Sequence, residues 1–60
     1  MKQATVATVE LNKEVLVKFT ADSIFIDDQT LFVRDENGIL DAVYVLPPGS
    51  LTLFSKEDVE

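Results

Sequence analysis

Carboxylates set the chemistry open to this sequence, because the other usual agents are missing. The chain holds eleven Asp and Glu against five Lys and Arg, with no His and no Cys. Without imidazole, the commonest general base and the commonest transition-metal ligand are absent. Without thiols there is no disulfide framework, no zinc–thiolate site and no sulfur nucleophile. Ser23, Ser50 and Ser55 therefore have no His to activate them. Asp27-Asp28 and Asp35-Glu36-Asn37-Gly38, with Asp41 following, offer hard oxygen ligands. An EF-hand calcium loop, however, needs alternating ligands, a central Gly and a distal Glu at fixed spacing. Gly38 falls in the wrong place for that pattern, and no Glu follows at the right distance. With Gly38 and Gly49 as its only glycines, the chain has no Gly-rich phosphate loop. A glycosidase-like pair of acids needs a cleft, which so short a sheet cannot wall off alone. The expectation is a protein that is not an enzyme and holds no metal or cofactor.

The net charge of −6 is unevenly placed. Residues 1–20 sum to +1, residues 21–41 to −5, and residues 42–54 carry no charge. The acidic segment comprises Asp22, Asp27, Asp28, Asp35, Glu36 and Asp41 against Arg34 alone. Such a balance speaks against phosphate-backbone binding and against adsorption to an anionic membrane. Phe19, Phe25, Phe32, Tyr44 and Phe54 lack the basic neighbours that a nucleic-acid stacking platform uses. The six acids invite one alternative: a small inhibitor that imitates nucleic acid or fills a basic site on a partner. Acids that solubilise a small domain and punctuate its turns are the plainer reading. The first residues show no secretory signal, and the uncharged stretch 42–54 is too short and too broken by Pro and Gly to span a bilayer. A soluble cytoplasmic protein is the expectation.

The elements that must position these groups are strands. Hydrophobic residues make up 47% of the 60, and they recur with a period of two. Segments 5–11, 15–20, 23–27, 30–34, 39–46 and 51–55 are β-branched or alternating and too short for stable amphipathic helices. Turn formers separate them at Asn12-Lys13, Ala21-Asp22, Asp28-Gln29, Asn37-Gly38 and Pro47-Pro48-Gly49-Ser50. A single domain over 1–60 follows, all-β, an antiparallel meander of five to six short strands. It is expected to form a small sandwich or an SH3-like or OB-like open barrel, completed by oligomerisation. Residues 55–60 read as an acidic C-terminal tail or one helical turn with Ser55 as its N-cap.

Hairpin register can be argued from face sharing. A three-residue loop Asn12-Lys13-Glu14 pairs Leu11 with Val15, Val9 with Val17 and Ala7 with Phe19, gathering apolar residues on one face. A two-residue loop would instead set Ala7 against Lys18 and Glu10 against Val15, and is rejected on that ground. Asn37-Gly38 suits a type I′ turn, which would place Arg34 opposite Asp41 and Phe32 opposite Val43. A turn at Asp28-Gln29 sets Ile26 against Leu31 and Phe25 against Phe32.

Tracing these central strands leaves apolar residues on both faces. One holds Ile24, Ile26, Leu31, Val33, Leu40, Ala42, Tyr44 and Leu46. The other holds Phe25, Phe32, Ile39, Val43 and Val45, with Arg34 and Asp41. An antiparallel sheet with one wet face should alternate more cleanly. A domain of this size buries only about 60% of its unfolded surface. The expected partner is a second copy, a dimer above all, with another protein as the alternative. The residues expected to carry the contact are Phe25, Phe32, Val43, Tyr44, Val45, Leu51, Leu53 and Phe54.

Overall fold

The computed structural model describes residues 2–59. Six strands follow one another: β1 (Lys2–Leu11), β2 (Glu14–Ala21), β3 (Ser23–Asp27), β4 (Thr30–Arg34), β5 (Leu40–Val45) and β6 (Leu51–Val59). They build two three-stranded antiparallel sheets, ordered β2-β1-β6 and β3-β4-β5. The chain crosses from the first sheet to the second at Asp22 and returns through residues 46–50. The second sheet is a meander, while β6 comes back to pair with β1. The two sheets lie face to face as a small sandwich, 34 × 21 × 13 Å.

Between the sheets, Ala7 and Val9 meet Leu31 and Val33, all buried. Val17, Phe19, Ala21, Ile24, Ala42, Tyr44 and Leu46 pack around them. Alternation explains this set, since each strand sends every second residue inward. Phe19 and Tyr44 bridge the layers with ring centroids 5.9 Å apart, tilted at 58°. Ala4 and Val6 are also buried although they face outward from β1. As the middle strand, β1 is shielded there by neighbours on both sides.

The Asp28-Gln29 hairpin has the register expected of it: Ile26 faces Leu31, Phe25 faces Phe32 and Ile24 faces Val33. Both turn residues have positive φ, 49° and 63°, as a type I′ turn requires. The other two hairpins correct the reading from sequence. Asn12 and Lys13, at φ 54° and 69°, form a two-residue turn rather than a three-residue loop. Leu11 then faces Glu14 and Glu10 faces Val15. A bulge takes up Leu16, and beyond it Val9 meets Val17 and Ala7 meets Phe19 as apolar packing demands.

At Asn37-Gly38, only Gly38 has positive φ, at 77°. The Gly38 N–H donates to the Asp35 carbonyl, and the Asp35 N–H to that of Ile39, both at 3.0 Å. This is a type I turn ending in a left-handed Gly, not a type I′ turn. The Asp35 side chain selects it, accepting from the Asn37 N–H at 2.9 Å and the Ile39 N–H at 3.0 Å. A bulge in β5 then displaces Asp41, so Arg34 faces Leu40 and donates to the Gly38 carbonyl at 2.9 Å. The expected Arg34–Asp41 pairing does not form. Ser55–Asp58 is also strand rather than a helical turn, because β6 pairs along β1 as far as Lys2. Glu60, the end of the expected tail, lies outside the described residues.

Candidate functional site

Two surfaces gather some of the residues that the sequence singles out: a recess at one end of the sandwich and the exposed side of the short second sheet. Its outward face is a small grid. Phe25, Phe32 and Val43 form one row across β3, β4 and β5, and Asp27, Thr30 and Val45 form the next. Phe25 and Phe32 stack with centroids 5.1 Å apart and planes 17° from parallel. The Arg34 guanidinium sits 5.3 Å from the Phe25 centroid, so a cation caps the apolar row at its rim. Val43 is 50% exposed and Val45 71% exposed. Ile39 is exposed beside the 35–38 turn. Alternation places Leu40 inward with Ala42, and the bulge at Asp41 instead sets it opposite Arg34 and exposed.

The remaining interaction candidates lie elsewhere. Leu51 and Leu53 face outward from the first sheet, opposite Glu10 and Thr8. Phe54 has the other parity, opposite Ala7, and points toward the side where the second sheet packs. Tyr44 does not belong with the outward residues: it packs on the core beside Phe19. It stands between Val43 and Val45, so the pleat turns it to the other face. Val15, Leu16, Ile26 and Leu40 are further exposed apolar residues. Val15 owes its exposed position to the bulge, which sets it opposite Glu10 and which alternation alone does not reveal.

The acidic patch divides in two. Asp22, Asp35, Glu36 and Asp41 line a recess of about 280 Å³ at one end of the sandwich, together with Lys2. Asp27 and Asp28 lie at the far end of β3, about 16 Å away at the rise of a strand. Lys2 Nζ donates to Glu36 Oε2 at 2.9 Å and lies 3.3 Å from Asp22 Oδ1. These partners raise the Lys2 pKa above its ordinary value, Glu36 contributing most and Asp22 next. The recess is thus an acidic rim with an ammonium among its carboxylates. Among the described residues, no three acids converge closely enough to hold a metal ion. No helix there is long and apolar enough to cross a membrane. Comparison with protein families, curated proteins and solved structures finds no match to this chain.

Proposed function

We propose that the chain is a non-enzymatic protein-interaction module that works as a homo-oligomer through its apolar sheet face and strand edges. The observation that carries this reading is the outward row Phe25–Phe32–Val43, extended by Val45. A solvated sheet face is expected to be polar, and contiguous apolar surface on a small domain marks a contact site. Stacked rings flanked by Arg34 resemble the aromatic centre and polar rim of a protein interface. The alternative, a charge mimic, draws on the acids around the recess. It has less support, because Lys2 sits among them and Asp27 and Asp28 stand apart.

Sedimentation velocity over a concentration series tests the proposal. Species heavier than the monomer are expected, and they should persist in molar salt, because apolar contacts are not screened. Val43→Asp puts a charge into the exposed row without touching the core. It should leave the circular dichroism spectrum unchanged and lower the mean mass at each concentration. A wild-type chain that stays monomeric into the millimolar range would remove the proposal. Oligomers that dissolve on adding salt would favour the charge mimic.

A further inference from the structure

The sandwich has four strand edges: β2 and β6 in the first sheet, β3 and β5 in the second. An unpaired edge is a template for another strand unless something blunts it. β2 carries the bulge at Leu16, β5 carries the bulge at Asp41, and β3 is only five residues long. β6 has neither a bulge nor a short length, and its charges Lys56, Glu57 and Asp58 are confined to its second half. It runs nine residues without Pro or Gly, pairs with β1 in unbroken register, and is uncharged from Leu51 to Ser55.

A second observation falls on the same strand. Phe54 pairs opposite Ala7 and points to the inner side of the first sheet. Ala7 there is completely buried, while Phe54 is 49% exposed. The second sheet rests chiefly on β1 and β2, so the core is open along the β6 flank. An inward aromatic is left uncovered beside an edge that is left unpaired.

We infer that β6 is a self-pairing edge, occupied by the β6 of a second copy running antiparallel about a two-fold axis at Ser55. This rests on the self-association proposed above and names the contact that makes the dimer. The result is a continuous sheet ordered β2-β1-β6-β6-β1-β2, closed by its symmetry. Charge placement in β6 fits this pairing and no parallel one. With Ser55 facing Ser55, Lys56 faces the second copy's Phe54, Glu57 faces Leu53 and Asp58 faces Thr52. Every charge faces an uncharged residue, and Lys56, whose ammonium donates to Thr5 Oγ1 at 2.9 Å within its own copy, lies opposite an aromatic ring. Parallel pairing in register would set Lys56, Glu57 and Asp58 each against its own copy. A two-fold axis perpendicular to the sheet also keeps both second sheets on one side. The two Phe54 rings become diagonal neighbours in the trough between them, and each covers the other's open flank.

The register makes the test specific. Phe54→Lys sets a new cation opposite the second copy's Lys56, twice per dimer. It should weaken dimerisation at least about tenfold, read by sedimentation, with the monomer's circular dichroism retained. Adding Lys56→Glu to that variant restores an attractive pair and should recover the dimer. Val43→Asp lies on the other sheet, so the fall in mean mass it causes should stop at the β6-paired dimer and not reach the monomer. If Phe54→Lys associates like wild type, or if the double variant fails to recover, this pairing is wrong while self-association stands. If the wild-type chain never leaves the monomer, both readings fall. A Phe54→Lys chain that loses its fold shifts the test to Leu53→Glu, which confronts the second copy's Glu57 and should weaken the dimer in the same way.

Discussion

Lys2 is the residue at which three parts of the chain meet. Its ammonium joins the start of β1 to Asp22, where the chain changes sheets, and to Glu36, in the turn before β5. All three side chains are exposed to solvent, so water weakens the contact, but it leaves a mark on the pH dependence. The folded-state pKa of Lys2 lies above the ordinary 10.5. A group raised in this way contributes stability that is complete below the unfolded value and is lost as pH rises through the folded one. Wild type should therefore lose thermal stability relative to Lys2→Gln as pH climbs above 10.5. The difference between the two melting curves isolates the contribution of Lys2. Curves that stay parallel through that range would show the bridge to be inert. None of this was legible in the sequence, since Lys2 lies 34 positions from Glu36 and only the folded sheets bring them together.

At the level of elements, the turns divide what local sequence dictates from what packing dictates. The Asp28-Gln29 hairpin was legible because its flanking residues alternate and only one register gathers Ile24, Leu31 and Val33 inward. The inward face of the second sheet followed from the same alternation for Ile24, Leu31, Val33, Ala42, Tyr44 and Leu46. It did not for Leu40, which the bulge at Asp41 turns out, or for Ile26, which is left exposed. The first hairpin was legible in its pairing of Val9 with Val17 but not in its turn, because a bulge at Leu16 performs the shift a longer loop would have made. Asn37-Gly38 misled because the Asp35 carboxylate, two positions earlier, holds the backbone N–H groups in a different turn. β6 was the hardest element: Ser55-Lys56-Glu57-Asp58 has the composition of a helix start, and only its long-range pairing with β1 makes it a strand. The type I′ turns carry a local cost, since Gln29 occupies the left-handed region at φ 63° without being Gly. Gln29→Gly removes that strain while keeping the carbonyl that accepts from the Leu46 N–H at 2.8 Å. It should stabilise the fold by about 0.5–1 kcal/mol, the strain relief exceeding the extra entropy of Gly in the unfolded chain. A urea midpoint at or below wild type would mean that the turn is already relaxed.

For the whole molecule, the governing fact is how little core sixty residues supply. Among the described residues, Leu31 and Val9 are the only large side chains that are completely buried, and their two companions in the buried cluster, Ala7 and Val33, are no larger than Val. Ordinary stabilities per residue give a domain of this length about 3–9 kcal/mol. Removing most of the Leu31 side chain costs about 2–5 kcal/mol, because the transfer term is joined by a cavity that two rigid sheets cannot close. The two ranges overlap, so Leu31→Ala should be marginally stable, with a measurable unfolded fraction in dilute solution at 25 °C. Leu31→Met keeps the volume and should cost less than about 1.5 kcal/mol. Association alters this balance, since a partner that binds only the folded chain stabilises it in proportion to the logarithm of concentration. The Leu31→Ala chain should therefore regain strand signal in circular dichroism as its concentration rises, with a melting temperature that climbs in step. The same variant carrying Phe54→Lys should not, because the contact that rescues the fold has been removed. A Leu31→Ala chain whose folded fraction is independent of concentration would show that each copy must stand on its own core. The apolar surface on both sides of the sandwich would then contribute nothing to its stability.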